Sequence, residues 1–251
     1  MTAGSMARRA NYRRNKMAQA DAGRQNGKSA ARSETAVGRV YEALRGILLS
    51  YEIKPSERLN EVELARRFKV SRTPLREALN RLVTERLLSF EPLVGFFRPA
   101  INLQEVRDLY EFRVILETVG IRLAVQRASD AEINAVSEFW TNANRNGASL
   151  KKGELIRIDE QFHEALIGLS HNQELVHALR GVNARIHVIR WADTSGDGRH
   201  EESYRQHHRL LDVLRERKEA QCVEVLRGII ERRQEEIVEV IKEGAVRLYV
   251  T

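Results

Sequence analysis

Cysteine is almost absent: Cys222 stands alone in 251 residues, so no intrachain disulfide and no cysteine-based zinc cluster can form. This usage fits a reducing compartment, with the cytoplasm as the expected location. No run of about 18 apolar residues exists to cross a bilayer, and no membrane partner is expected. The chain also lacks a Gly-Xaa-Ser-Xaa-Gly elbow, an HExxH pair and a phosphate-binding glycine loop, which removes the commonest signatures of a hydrolase or nucleotide-binding enzyme.

With 42% hydrophobic and 31% charged residues, the composition is that of a soluble protein long enough for two domains. Charge is unevenly spread: residues 1–36, 37–100 and 101–251 carry nets of +6, +4 and −3. Positive potential at one end is expected where that end meets phosphate and the other does something else. Residues 1–36 show neither an apolar period nor the apolar core of a secretory signal. They are expected to form a disordered basic arm that adds salt-sensitive affinity for nucleic acid. An Arg-rich, acid-poor leader also has a transit-peptide composition, but a basic arm, or a start at Met6 or Met17, accords better with the body that follows.

Residues 57–98 predict a helix-turn-helix followed by a short β-wing, an arrangement that binds duplex DNA. Val62, Leu64, Ala65 and Phe68 are expected on the inner face of the first helix. Lys69, Val70 and Ser71 make the turn, Ser71 or Thr73 caps the second helix, and Pro74 sits in its first turn. There Leu75, Ala78, Leu79 and Leu82 point inward, leaving Arg72, Thr73, Arg76 and Asn80 outward. Arg72 and Arg76, four residues apart, project side by side and can present two-pronged donors to guanine, while Ser71 and Thr73 suit phosphate or bases. Two such arginines alone would more often be solvated surface charge; the capped turn before them and SFEPLVGFFRP after them favour the DNA reading. Gly95 suits the wing turn.

The run VSRTPLREALNRLVTERLL resembles the signature of the GntR family of bacterial transcription regulators, and VYEALRGILLSYEIKPSERL at 40–59 extends the likeness upstream. Tyr51, Ser56 and Arg86 depart from it, standing where that family often has glycine.

From residue 101 onward the sequence predicts helices joined by short polar turns: one from 101, then segments around 130–146, 153–170, 172–192, 200–217 and 219–243. Val106, Leu109, Tyr110, Val114, Leu116, Ile121 and Leu123 form an apolar stripe in the first, Asn172 is a plausible cap, and SGDG at 195–198 is the clearest break. In RIDEQFHEAL, Asp159 and His163 project from one helical face, and His207 is a third candidate on a later helix. A carboxylate with imidazoles suits zinc, nickel, cobalt or manganese. An Asp and a His four residues apart are, however, more often a hydrogen-bonded or surface pair.

The segments EFRVILE, IDEQFHEALIGLSHNQEL and HHRLLDVL resemble the all-helical FCD effector domain of the FadR subfamily of GntR regulators. The resemblance implies metal ligands at Asp159, His163 and His207, with His207 favoured over His208. A further histidine expected about 22 residues on is replaced by Ile229, so three ligands remain. It also implies that Arg113 faces an effector cavity, where a guanidinium suits an acidic metabolite; the competing reading is a buried Arg113–Glu117 ion pair. Three ligands completed by water or an effector carboxylate, and a metal-free site in which Arg113, His163 and His207 grip the effector, both stay open. Trp140 and Trp191 are read as core.

The expected protein is mainly α: a winged helix-turn-helix with a small β-wing at 37–100, then an all-α antiparallel helical bundle at 101–245 for effector binding and dimerisation. It is expected to be a homodimeric regulator, not an enzyme, that binds palindromic operator DNA in the nucleoid. A small carboxylate would control its affinity, as in a metabolite-induced repressor. The alternatives are a constitutive architectural DNA binder and a metal-dependent hydrolase.

Overall fold

The computed structural model describes residues 36–50, 52–145, 150–192 and 199–242. Among them the chain is mainly helical. It runs α1 (36–49), α2 (Glu61–Phe68), α3 (Arg72–Thr84), the strands β1 (Ser89–Glu91) and β2 (Gly95–Phe97), then α4 (Leu103–Arg127), α5 (Asp130–Asn144), α6 (Lys152–Gly168), α7 (Gln173–Ala192), α8 (Arg199–Arg215) and α9 (Glu219–Lys242). The arm at 1–36, Tyr51 and the 195–198 break lie wholly or almost wholly outside the described residues, as does the side chain of Trp191. Two compact units divide the chain: Leu59–Thr84 groups with the chain up to Gly46, and Ile47–Arg58 with everything from Glu85 onward.

In the first unit, Asn60 starts α2 by accepting from the backbone N–H groups of Val62 and Glu63 at 3.1 and 3.2 Å, satisfying two donors that a helix start leaves unpaired. Lys69, in the left-handed region at φ 54°, ends it. Leu64 is buried, whereas Val62, expected inward, is 62% exposed. The reason is angular: two residues at 100° each put Val62 about 200° around the helix from Leu64. In α3, Leu75, Ala78, Leu79 and Leu82 are all fully buried.

The wing belongs to the second unit. Strands β1 and β2 pair antiparallel with Ser89 opposite Phe97 and Glu91 opposite Gly95, and the Phe90 and Phe96 rings meet at 4.9 Å. Val94 N–H donates to Glu91 C=O at 3.2 Å, with Pro92 and Leu93 (φ 68°) as the central residues. This is the type II pattern, which favours Pro and then Gly. Gly95 does have a positive φ, 106°, but it opens β2, and the tip position that favours glycine holds Leu93, fully exposed.

Arg86 (φ 59°) and Ser56 (φ 64°) also occupy the left-handed region, as expected at positions where glycine is usual. A β-carbon there costs about 1–2 kcal/mol, partly offset because glycine has more freedom to lose on folding. Arg86→Gly and Leu93→Gly should therefore each raise unfolding free energy by about 0.5–1 kcal/mol in urea titration; a loss of stability at both would show that other contacts decide these turns.

The helices α4–α9 form an antiparallel bundle. Helix α4 packs on α6, α7 and α9, α5 on α6 and α8, and α8 on α9. Asn102 caps α4 through Glu105 N–H, and a reciprocal Ser129–Glu132 capping box starts α5, each satisfying backbone donors that a helix start leaves unpaired. His171 in the left-handed region, followed by Asn172 accepting from Glu174 N–H at 3.1 Å, separates α6 from α7. The expected α4 stripe is buried except for the half-buried Leu123. Gly120 brings α4 and α6 close: a β-carbon there would lie 2.6 Å from Ile167 Cδ1. One turn earlier on each helix stand Glu117 and His163.

Candidate functional site

In the reader, Ser71, Arg72, Thr73, Arg76 and Asn80 are all exposed, at the start and along the outer face of α3. Arg76 Nε lies 3.1 Å from Glu61 Oε2, with half the arginine side chain exposed. Such a surface pair contributes about 0–1 kcal/mol, weak enough to be exchanged for a base or phosphate. Leu93 and Val94, of the apolar run around Gly95, give the wing an exposed apolar tip.

The helical unit builds a second, buried constellation. Helix α6 presents Asp159 and His163 one turn apart, α8 presents His207, and α4 presents Arg113 and Glu117. His163 Nε2 and His207 Nε2 are 3.2 Å apart, and Asp159 Oδ1 lies 3.9 and 3.4 Å from them. Both imidazoles are about 1% exposed, while the Asp159 side chain is 26% exposed.

The outer ring nitrogens fix the tautomers. His207 Nδ1 donates to the Ser203 carbonyl at 2.6 Å, and His163 Nδ1 to Glu117 Oε2 at 2.6 Å. Both partners are acceptors, so in the neutral rings the protons sit on Nδ1 and the Nε2 lone pairs face each other. Burial pushes His207 down to about 4, only partly opposed by Asp159. Burial would raise Glu117, but Arg113 and His163 outweigh it and hold the carboxyl at about 2. Burial likewise works against ionised Asp159, yet His163, His207 and Arg113 keep its carboxyl below the usual range.

When both rings are neutral, three lone-pair donors converge here, a set that a cation at their centre would satisfy. Bonds of about 2.0–2.2 Å in a tetrahedron give ligand-to-ligand edges of roughly 3.3–3.6 Å, and the observed 3.2, 3.4 and 3.9 Å bracket that range. The hydrogen bonds from Nδ1 to a carboxylate and to a carbonyl are those that orient metal-binding imidazoles. Asp159, His163 and His207 thus fit a divalent transition metal, with positions left over for another ligand.

Around this triad lie guanidinium groups. Arg113 Nε donates to Glu117 Oε1, so the ion pair weighed against a ligand role for Arg113 does form. Yet Arg113 Nη2 is buried with no hydrogen-bond partner, so the pair leaves donors unused. Arg190 Nη1 donates to Asp159 Oδ2 at 2.9 Å, and Arg190 Nε lies 3.4 Å from Tyr110 Oη. Burial pushes Tyr110 up to about 12 despite Arg233 and Arg113, so the phenol stays a donor.

Trp140 Nε1 donates to Tyr204 C=O at 3.4 Å, and its ring lies 4.5 Å from that of His207. It is core, and it also walls the imidazole. His208 instead meets Tyr204 edge-on at 4.4 Å. Ile229 is half-buried against the helical core.

Glu117 as the orienter of His163, and Arg190 as the partner of Asp159, escaped the sequence argument. These partners lie 46 and 31 residues apart, and no local spacing signals such pairs.

Comparison with known proteins agrees with both halves. The model for bacterial regulatory proteins of the gntR family matches residues 36–97, and that for the FCD domain matches residues 108–232. The Nta operon transcriptional regulator of Aminobacter aminovorans is 40% identical over 201 residues, covering 80% of this chain and 94% of its own. The transcriptional repressor RspR of Escherichia coli is 24% identical over 181 residues, 71% of this chain and 78% of its own. Among solved structures, a GntR transcriptional regulator from Rhodococcus sp. RHA1 superposes with TM-score 0.71 at 22% identity, over 82% of this chain and 98% of its own. E. coli McbR/YncC does so with TM-score 0.70 at 22% identity, over 81% and 97%. These relatives are transcriptional regulators and not enzymes, which sets the hydrolase alternative aside. The chain belongs to the GntR family of bacterial transcriptional regulators, joining a helix-turn-helix DNA-binding domain to a C-terminal FCD domain.

Proposed function

We propose that this regulator is a metabolite-controlled repressor that acts in the cytoplasm on the nucleoid. In this reading a homodimer presents two readers, residues 37–100, to a palindromic operator, because one reader contacts too few base pairs for specificity. The domain at 101–245 binds a small carboxylate, and binding lowers operator affinity by favouring one of two reader arrangements. The observation that carries the effector class is the unpartnered, buried Nη2 of Arg113. A buried guanidinium donor without an acceptor is costly, and a carboxylate is the acceptor whose geometry it fits. A divalent metal on Asp159, His163 and His207 would supply a Lewis-acidic point for a second oxygen of the same ligand. Arg113 binds and orients, Glu117 holds Arg113 and the His163 ring, and Trp140 and Phe162 exclude water from His207.

The test is operator binding on DNA upstream of the protein's own gene, with a panel of mono-, di- and tricarboxylates. At least one acid should weaken wild-type binding, and Arg113→Lys, which keeps the buried charge without the fork, should lose that response while keeping the ligand-free affinity. A panel that never moves operator affinity favours the constitutive binder.

For the reader, Arg72→Ala and Arg76→Ala should each cost about 1–3 kcal/mol of discrimination between operator and random DNA. Measured by competition at fixed salt, an equal loss on both DNAs would make them phosphate clamps with no part in reading bases.

A further inference from the structure

We infer that the cleft where the connection from wing to α4 meets α7 is a second ligand site, which takes a short monocarboxylate with an apolar body. It is separate from the constellation of Asp159, His163 and His207 and does not rest on the effector reading above. A cavity of about 70 Å³ lies there, lined by residues of the second unit alone. At roughly 10–15 Å³ for each water-sized group, it holds about five to seven heavy atoms. Its walls are apolar: Leu48, Leu87, Leu109 and Ile189 line it and are buried. Its charges are unbalanced, since Arg86, Arg98 and Arg185 face one acid, Glu105, among the described residues that line it.

Arg98, 4% exposed, builds the cleft. Its Nη1 donates to Ile53 C=O, its backbone N–H donates to Glu57 C=O and its carbonyl accepts from Ser56 N–H, both at 2.9 Å. It thereby pins the turn at 53–57 to the connection. Arg185 supplies the recognition. Its Nη2 donates to Glu105 in the first turn of α4, yet its Nε is buried with no hydrogen-bond partner. A donor taken from water without an acceptor is costly, and a carboxylate oxygen is the acceptor a guanidinium binds most strongly. Arg86 lines the same cleft from the left-handed region, at φ 59°. Glycine would make that turn without strain, so the strained residue supplies a cation that glycine could not. Glu105 beside Arg185 disfavours a second negative charge on the ligand, and the apolar walls disfavour inorganic anions. The site therefore fits a carboxylate on Arg185 Nε with a short branched chain against Leu87, Leu109 and Ile189. Leu48 and Arg86 each stand two residues past the ends of first-unit segments, Gly46 and Thr84. A ligand here would tie both crossings of the chain to α4 and α7, away from the metal-binding triad.

Isothermal titration of the full chain with sodium isovalerate tests this. Wild type should bind with a Kd on the order of 1 mM or tighter, and neutral isovaleramide at least about tenfold more weakly. Arg185→Met, which keeps the bulk and removes the donors, should weaken isovalerate about tenfold or more. Arg86→Gly, expected above to be more stable than wild type, should weaken it about threefold, a loss that misfolding would not explain. Ala100→Phe, at a half-buried position of the lining, should block the cleft without changing charge, and Arg113→Lys should leave binding unchanged. Hydrogen exchange read by mass spectrometry locates the ligand: isovalerate should slow exchange in 47–58 and 98–109 and leave α8 around His207 as it was. A wild type that does not bind isovalerate, or binding that survives both Arg185→Met and Ala100→Phe, overturns the site. Binding lost in Arg113→Lys, with protection at His207, also overturns it and leaves the effector reading standing.

Discussion

Glu117→Ala should destabilise the helical domain by about 3–5 kcal/mol, the usual cost of removing one partner from a buried ion pair. Glu117 and Arg113 are fully buried on adjacent turns of α4, and the glutamate also accepts the Nδ1 proton of His163. Its loss leaves Arg113 as an uncompensated buried charge and frees the His163 ring to turn. Urea unfolding measures the first effect; a loss under 1 kcal/mol would mean that the pair is not buried in solution.

The pH dependence of the same residue has a definite sign. Against the attraction of Arg113 and His163, burial is insufficient to keep the carboxyl near its ordinary 4.5, and it is held at about 2. A depressed folded value means that the carboxylate's contribution is complete above about pH 4.5 and is lost as pH falls toward 2. Wild type should lose stability steeply across that window, and Glu117→Gln, lacking the titrating group, should show a shallower slope there. Equal slopes would assign acid unfolding to other carboxylates.

Protein purified without a polyhistidine tag should carry about one divalent metal ion per chain by elemental analysis, and His163→Ala and His207→Ala should each lose it. The expectation follows from three lone-pair donors facing one another at 3.2 to 3.9 Å with both outer ring nitrogens engaged. Removing the metal by chelation should lower wild-type stability by RT ln(1 + [L]/Kd), about 4 kcal/mol if free metal stood at a thousand times Kd, and should leave the histidine variants unmoved. Because Ile229 stands where the family resemblance calls for another imidazole, Ile229→His should raise metal affinity. A wild type free of metal that gains it only with Ile229→His would mark a decayed site. The effector would then be gripped by Arg113, His163 and His207 without metal.

Much of this was legible in the residues themselves, because it is written in local periodicity. The inward Leu75, Ala78, Leu79 and Leu82 of α3 follow from helical spacing and are all buried, and the same arithmetic placed five of the six later helices within a few residues of their observed ends. Where spacing was stretched it failed, as at Val62. Gly95 was the obvious turn residue, yet the wing puts Leu93 at the tip, since pairing Glu91 with Gly95 leaves three residues to make the turn. Backbone geometry there overrode residue preference, and no composition rule announces that.

For the helical domain the division is sharper. Sequence alone determined that Asp159 and His163 share a helical face, that Arg113 and Glu117 are one turn apart, and that charge is concentrated toward the N-terminal end. Which of His207 and His208 turns inward, that Glu117 spends its second oxygen on His163, that Arg190 reaches Asp159, and that Arg113 keeps a donor to spare were decided only by the packing of α4, α6, α7 and α8. Helical spacing is a property of neighbours along the chain. Convergence of side chains from four helices depends on how closely those helices approach, which Gly120 against Ile167 helps to set and no single stretch of sequence contains.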